Sequence, residues 1–450
     1  MYSRREPETI FSFIKRNALL ILLLLVLLSG GGLWIFNQSL QPRSGVHSES
    51  EQERDAALNQ AFVVRNPEQL LAVDDPEVLA ELDVFFTQLG VAYREGAVDK
   101  VSQLISGKDM FQYIVKSGLI TFKNPLERML FEQGFLMGLE QGYAEDMEVS
   151  GYDSHELMHI DRIDEDQLIV YVRMWDDELE IYQKMRWWLM QKGDSEWTAY
   201  DYEDLDVNLR MSVLFGSLVA GGLEDSEWLE SFIAVFDGVG LDLDLMTPED
   251  TAEFEANIEK CLASNPPEPL QAYLHLMRSC VLQSNSDWQG SLDALDRVEA
   301  ADPGMAAIHF QRGSAYFGLE QWELAIQHYT KYTDVLGWDA DIYEVVADTY
   351  LGMGNRLMAA ELAEKGLADN ANSWGCLLTF SVSIPPERYN DIRGHVQATS
   401  SAEDAYNYVI DYALDQEAFE VARAVFDQFE QDFPDSELVA YYKAEVFDQL

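Results

Sequence analysis

His155-Glu156-Leu157-Met158-His159 sets two imidazoles four residues apart, with a carboxylate beside the first. On a helix both rings would share one face and hold a zinc ion, and Glu156 would activate a water bound to it. The flanking residues favour a strand. Gly151-Tyr152-Asp153 precedes the motif, and Ile160-Asp161-Arg162-Ile163 runs on into the turn Asp164-Glu165-Asp166. In a strand, residues i and i+4 share a face but lie about 13 Å apart, too far for one metal. Glu178 and Glu180 qualify as a third ligand only by their distance along the chain. The expectation is therefore two structural histidines on a hairpin, no catalytic residue, no metal and no cofactor.

Other chemistry is equally sparse. There is no G-x-S-x-G elbow and no P-loop, and Asp242 and Asp244 lack the glycine and closing glutamate of a calcium loop. Cys261, Cys280 and Cys376 make no C-x-x-C pair, and an odd count leaves at least one free thiol; all three are expected to be buried as small hydrophobes. The 450 residues allow two to four domains, and 48% apolar with 12% aromatic content excludes a mainly disordered chain. Thirty Lys and Arg against eighty Asp and Glu leave a net charge of −50, which repels phosphate backbones and excludes nucleic acid as a partner.

The elements that would position these residues begin with an address. Arg4, Arg5, Lys15 and Arg16 precede an uncharged, leucine-rich stretch that resumes after Gly30-Gly31-Gly32 as Leu33-Trp34-Ile35-Phe36. About twenty helical residues span the roughly 30 Å hydrocarbon core. The expectation is a cytoplasmic N-terminus (1–16), a single-pass transmembrane anchor (17–36), a polar stalk (37–74) and a bulk outside the cytoplasm at the cell membrane. A signal peptide cut near Ser29–Gly31 is the competing reading.

From Pro76 to Glu140 the apolar spacing is helical, and from His155 it turns to period two, with strands at 168–174, 179–190 and 197–205. Helices followed by an antiparallel meander give an α+β domain over 75–206. Its element order resembles the cystatin-like cone fold of the nuclear-transport-factor-like superfamily, in which a curved sheet wraps a long helix. That resemblance implies an apolar pocket, which Tyr171, Trp175, Trp187 and Trp188 would line; the plainer alternative makes them ordinary sheet residues. A helical connector follows at 207–271, with Thr247 as an N-cap and Pro248 at the first helical position.

The C-terminal half repeats with a period of 34: His275, Arg278 and Trp288 recur as His309, Arg312 and Trp322, Tyr316 as Tyr350, and Gly318 as Gly352. Copies fall at 272–305, 306–339, 340–373 and 403–436, with a capping helix at 437–450 and an irregular insert at 374–402 marked by Pro385-Pro386 and Gly394. Gly313, Tyr316, Ala325 and Tyr329 in the second copy, and Ala347, Tyr350, Ala359 and Ala363 in the third, carry small and bulky residues in phase. This pattern resembles the tetratricopeptide repeat (TPR). The resemblance implies an all-α solenoid (272–450) that binds protein or peptide in a groove lined by each first helix. On this chain the groove falls to Tyr273, Leu276, Phe310, Ser314, Phe317, Asp341, Glu344, Asp348, Asp404, Asn407 and Asp411.

The whole reads as a multidomain protein: an N-terminal transmembrane helix, an α+β antiparallel-sheet domain and a TPR-like array. The expected function is a membrane-anchored extracytoplasmic interaction scaffold without catalysis, whose partner carries apolar and basic residues. The alternatives are a membrane-bound zinc metallopeptidase using His155, Glu156 and His159, and a small-ligand sensor built on the α+β domain.

Overall fold

A computed structural model describes residues 71–450 apart from 123, 147–151, 177–180, 194–195, 206–207, 225–227, 239–246, 303 and 448–450. The expected anchor at 17–36, the cytoplasmic residues 1–16 and the stalk up to residue 70 lie outside these, as do Glu178, Glu180, Asp242 and Asp244. Among the described residues no helix is long and apolar enough to cross a membrane. The chain divides into two compact units, one ending at Ile308 and the other starting at His309.

In the first unit α1 (Pro76–Arg94) starts where Asp75 caps the Glu77 amide and Pro76 takes the first helical position. Helices α2 (Val98–Leu104), α3 (Gly107–Lys116) and α4 (Pro125–Asp146) follow. The strands then run β2 (Ser154–Arg162), β3 (Gln167–Asp176), β4 (Ile181–Gln191), β5 (Trp197–Asp204) and β6 (Leu209–Arg210), with β1 (Leu71–Ala72) on the β2 edge. They form one antiparallel sheet in chain order: each strand pairs with its neighbour in sequence, although α1–α4 intervene between β1 and β2. Period-two alternation sends Leu168, Val170, Val172, Met185, Trp187 and Leu189 to one face, where Leu82, Phe86 and Leu89 of α1 join them in one core. Phe86 meets Trp187 edge-on at 5.9 Å, and Trp197 Nε1 donates to Glu81 at 2.9 Å.

The expected helical connector is not a connector. Helices α5 (Met211–Glu224), α6 (Trp228–Gly238) and α7 (Pro248–Ala263) contribute Leu214, Phe232, Val235 and Ile258 to that same core. Thr247 does cap α7, in a reciprocal capping box with Asp250.

The opposite sheet face is buried yet charged. Arg186 lies opposite Glu203 across β4 and β5, and its Nε donates to Glu203 at 2.7 Å. Asp201 accepts from Arg210 Nη2 at 2.7 Å and from the Ser212 amide and hydroxyl. Both guanidinium groups lie over the Trp188 ring, at 4.6 and 3.9 Å. Glu203 is 1% and Asp201 0% exposed, so each charge depends on its partner for solvation. Replacing Glu203 by Ala leaves Arg186 buried and unpaired; we expect a loss of about 3–5 kcal/mol in chemical denaturation, much more than any surface carboxylate would cost.

Helices from Glu268 onward come in antiparallel pairs: α8 (Glu268–Ser284) with α9 (Trp288–Ala301), α10 (Ala307–Gly318) with α11 (Trp322–Leu336), and α12 (Ala340–Gly352) with α13 (Arg356–Asp369). Two further helices, α14 (Trp374–Ser383) and α15 (Tyr389–Ala398), occupy the stretch expected to be an irregular insert, and α16 (Ala402–Asp415) and α17 (Phe419–Asp432) pair beyond it. Pro385 and Pro386 open a short 3-10 turn (Pro386–Arg388) between α14 and α15 rather than interrupting either α-helix, which is why the prolines do not break the array. Arg388 bridges to Glu364 of α13, and Arg393 grips Asp432 of α17, tying the short pair to both neighbours. Last come α18 (Glu437–Tyr441) and a π-helical stretch (Tyr442–Phe447), both within the expected capping helix.

Each long pair turns through one left-handed residue: Ser286, Glu320, Gly354 and Glu417 have φ of 60°, 57°, 77° and 55°. The following amides close the helix end, for example Gln321 N to Tyr316 O and Asn355 N to Tyr350 O, both 2.9 Å or less. Only Gly354 adopts this conformation without steric penalty. We therefore expect Glu320→Gly to raise stability by about 0.5–1 kcal/mol in denaturant titration.

Candidate functional site

The H-E-x-x-H motif lies on β2, and the register of that strand decides its chemistry. His155 pairs with Met174 and Leu157 with Val172, but the pairing then slips, so that His159 faces Tyr171. Met174 and Val172 point into the core and Tyr171 to the opposite face, so the bulge turns the two histidines to opposite faces of the sheet. Ordinary alternation would have kept them on one face; the bulge is the part that spacing did not reveal. His155 Nε2 meets Asp83 of α1 at 3.1 Å, with its ring near Phe86 and Tyr152. His159 Nε2 meets Asp161 at 3.1 Å, and that carboxylate raises its pKa. No group of three or more His, Cys, Asp or Glu side chains among the described residues converges on a metal position.

The four aromatics assigned to a pocket separate in the same way. Trp187 stacks on Tyr202 at 4.9 Å in the core, whereas Tyr171 and Trp188 lie on the charged face around Arg186. Trp175 takes the Arg173 guanidinium over its ring on that face. The cysteines carry no bridge: Cys261 and Cys376 are buried, and Cys280 is half-buried. Burial pushes the Cys376 thiol up to about 12.

Two residues assigned to the binding groove are closed off. Tyr273 and Leu276, on α8, are 0% and 1% exposed. Tyr273 packs edge-on against Phe232 of α6, and Leu276 joins Leu295 and Val298 of α9. Phe232 of α6 covers Tyr273 and the paired helix α9 covers Leu276, neither of which sequence periodicity alone showed.

In the second unit the first helices α10, α12, α14 and α16 carry the other assigned residues. Gly313 of α10 meets the Tyr329 ring of α11 so closely that an added Cβ would lie 2.5 Å from it. Phe310, half-buried, packs on Tyr329 and Tyr332 at 5.8 and 5.6 Å, Ser314 reaches the Tyr329 hydroxyl, and Phe317 meets Trp322 edge-on. On α12, Asp341 is exposed, while Glu344 and Asp348 turn toward α14: Asp348 accepts from Thr379, and the Glu344 carboxyl lies over Gly375. Burial, helped by the charges of Asp348 and Asp341, lifts Glu344 to about 7. On α16, Asp404 takes the Ser401 hydroxyl, and the Tyr442 hydroxyl lies 2.7 and 2.6 Å from the Asn407 and Asp411 side-chain oxygens. Trp338, which meets Tyr343, and Tyr408, which meets Trp374, are exposed aromatics on this stretch that the repeat alignment passed over.

No family model matches the chain, and no curated protein matches it. Among solved structures, the Pseudomonas aeruginosa pilF protein is similar over 49% of this chain and 98% of its own, at 19% identity and TM-score 0.33. YrrB, described as a TPR protein with an unusual peptide-binding site, is similar over 41% of this chain and 97% of its own, at 16% identity and TM-score 0.29. The Cut9–Hcn1 hetero-tetramer of the APC/C covers 89% of this chain and 75% of its own, at 13% identity and TM-score 0.32. Scores of this size do not equate any of these architectures with this one. The chain's own helix pairs, their period and their small-to-bulky contacts make the C-terminal region a TPR-type array.

The strand placement has a direct consequence. Zinc retained by the full chain after dialysis should be unchanged by His155→Gln or His159→Gln; one equivalent of zinc lost on either change would refute it.

Proposed function

We propose that the TPR-type array is a protein-interaction scaffold that holds a peptide segment carrying apolar residues beside Lys or Arg. The observation that carries this reading is the split character of the first helices in the second unit. Phe310 and Phe317 present half-buried rings on α10, while Asp341, Asp404 and Asp411 load α12 and α16 with carboxylates. Apolar anchors give such an extended groove its affinity, and the charge speeds encounter with a basic partner. A net charge of −50 adds long-range attraction in the same sense.

In this reading residues 17–36 anchor the chain in the cell membrane with the array outside the cytoplasm, and no catalysis is required. Alkaline extraction should leave the full chain in the membrane fraction, and its release would remove the anchor. The groove is tested by pull-down from crosslinked native membranes with two full-length baits. One is wild type; the other carries Phe310→Ala, Phe317→Ala and Asp341→Lys, chosen because Asp341 is exposed. We expect at least a tenfold loss of the captured partner, and a wild-type capture that weakens with added salt. Equal capture by both baits would overturn the reading.

A further inference from the structure

Helix α14 is seated on α12 and α13 through three close contacts. Cys376 fills the notch at Gly366 of α13, where an added Cβ would collide with the sulfur, and its thiol reaches Ala340 O at 3.4 Å. Glu344 lays its carboxyl across Gly375, leaving no room for a Cβ there. Asp348 accepts from the Thr379 hydroxyl one turn further along α14. Two carboxylates thus stand in a helix–helix joint where small and apolar residues are the rule.

We propose that the α12–α14 joint is a proton-operated latch: protonation of Glu344 and Asp348 seats α14, and their ionisation loosens it. The groups that face the pair come from every element around it. Asp341 lies on α12 itself, Cys376 on α14, Tyr412 on α16 and Tyr329 on α11. The charges acting on Glu344 are those of Asp348 and Asp341, both negative. On α13, Glu364 pairs with Arg388 and Lys365 with Glu361, while Asp369 accepts from the Ala340 amide at the start of α12. Ionisation therefore places like charges in a buried joint, and repulsion together with the demand for water pries the helices apart.

The sign follows from the direction of the shifts. Glu344 rises from 4.5 to about 7 in the folded chain, and Asp348 is also raised by burial. A group whose folded pKa lies above its unfolded value adds stability that is complete below the unfolded value and is lost as pH rises through the folded one. For Glu344 that window runs from about 4.5 to about 7. With each pKa unit worth tenfold, Glu344 alone changes the opening equilibrium by on the order of a hundredfold.

Native-state hydrogen exchange on the full chain in detergent tests this without any partner, so its outcome is separate from that of peptide capture. Protection factors of Trp374–Ser383 amides, corrected for intrinsic exchange, should fall on the order of a hundredfold between pH 5 and pH 8. Those of Phe419–Asp432 should change far less. Glu344→Gln should flatten the dependence and Asp348→Asn should reduce it, whereas Gly375→Ala should lower protection at both pH values. Unchanged wild-type protection across this range, or a fall that survives in both neutral variants, would overturn the latch.

Discussion

Everything after Glu268 depends on how closely two helices approach within a pair. At Gly313 the Tyr329 ring occupies the space of a side chain, and Ser279, Ala347 and Ala413 hold the corresponding small positions, each fully buried. A bulkier residue there would push the second helix away, and the next pair would lose the surface on which it stacks. The same device recurs where the period fails. Gly366 and Gly375 let α14 settle on its neighbours although no copy of the repeat was legible there. Close approach, rather than any one residue type, is what the array conserves physically along its length.

That distinction explains what could be read in advance. The period, the four long copies and the order of helices and strands were legible, because burial imposes 3.6 or 2 residue spacing on any chain that folds this way. The short pair α14–α15 was not, since its turn uses Pro385 and Pro386 where the other pairs use a left-handed residue. The bulge in β2 left no trace in spacing either, and it alone sends His155 and His159 to opposite faces. Tyr273 and Leu276 were placed correctly on a first helix, but what covers that helix is a long-range fact. Position within an element could be read; what lies opposite it could not.

Charge is distributed by the same logic. In the first unit the buried charges come as cross-strand or capped pairs: Arg186 with Glu203, and Arg210 with Asp201 and Ser212. The partners offset desolvation in part, and burial still raises the Glu203 pKa despite Arg186. In the second unit Glu344 and Asp348 are half-buried without a cation between them, and Glu344 is correspondingly hard to ionise. Two ways of burying a carboxylate thus coexist in one chain, one closed and one responsive.

The responsive kind belongs in the array for a physical reason. A stack of pairs has only nearest-neighbour interfaces, so a weak joint lowers local stability without unfolding the rest. A carboxylate buried in the sheet has no such outlet, because β2–β6 share one core with α1 and α5–α7. Placing titratable groups where α12 meets α14 therefore converts a proton into a change of helix packing, and the first helices beside that joint are the ones that would face a ligand. A uniformly apolar stack has no group at this joint that a proton could change.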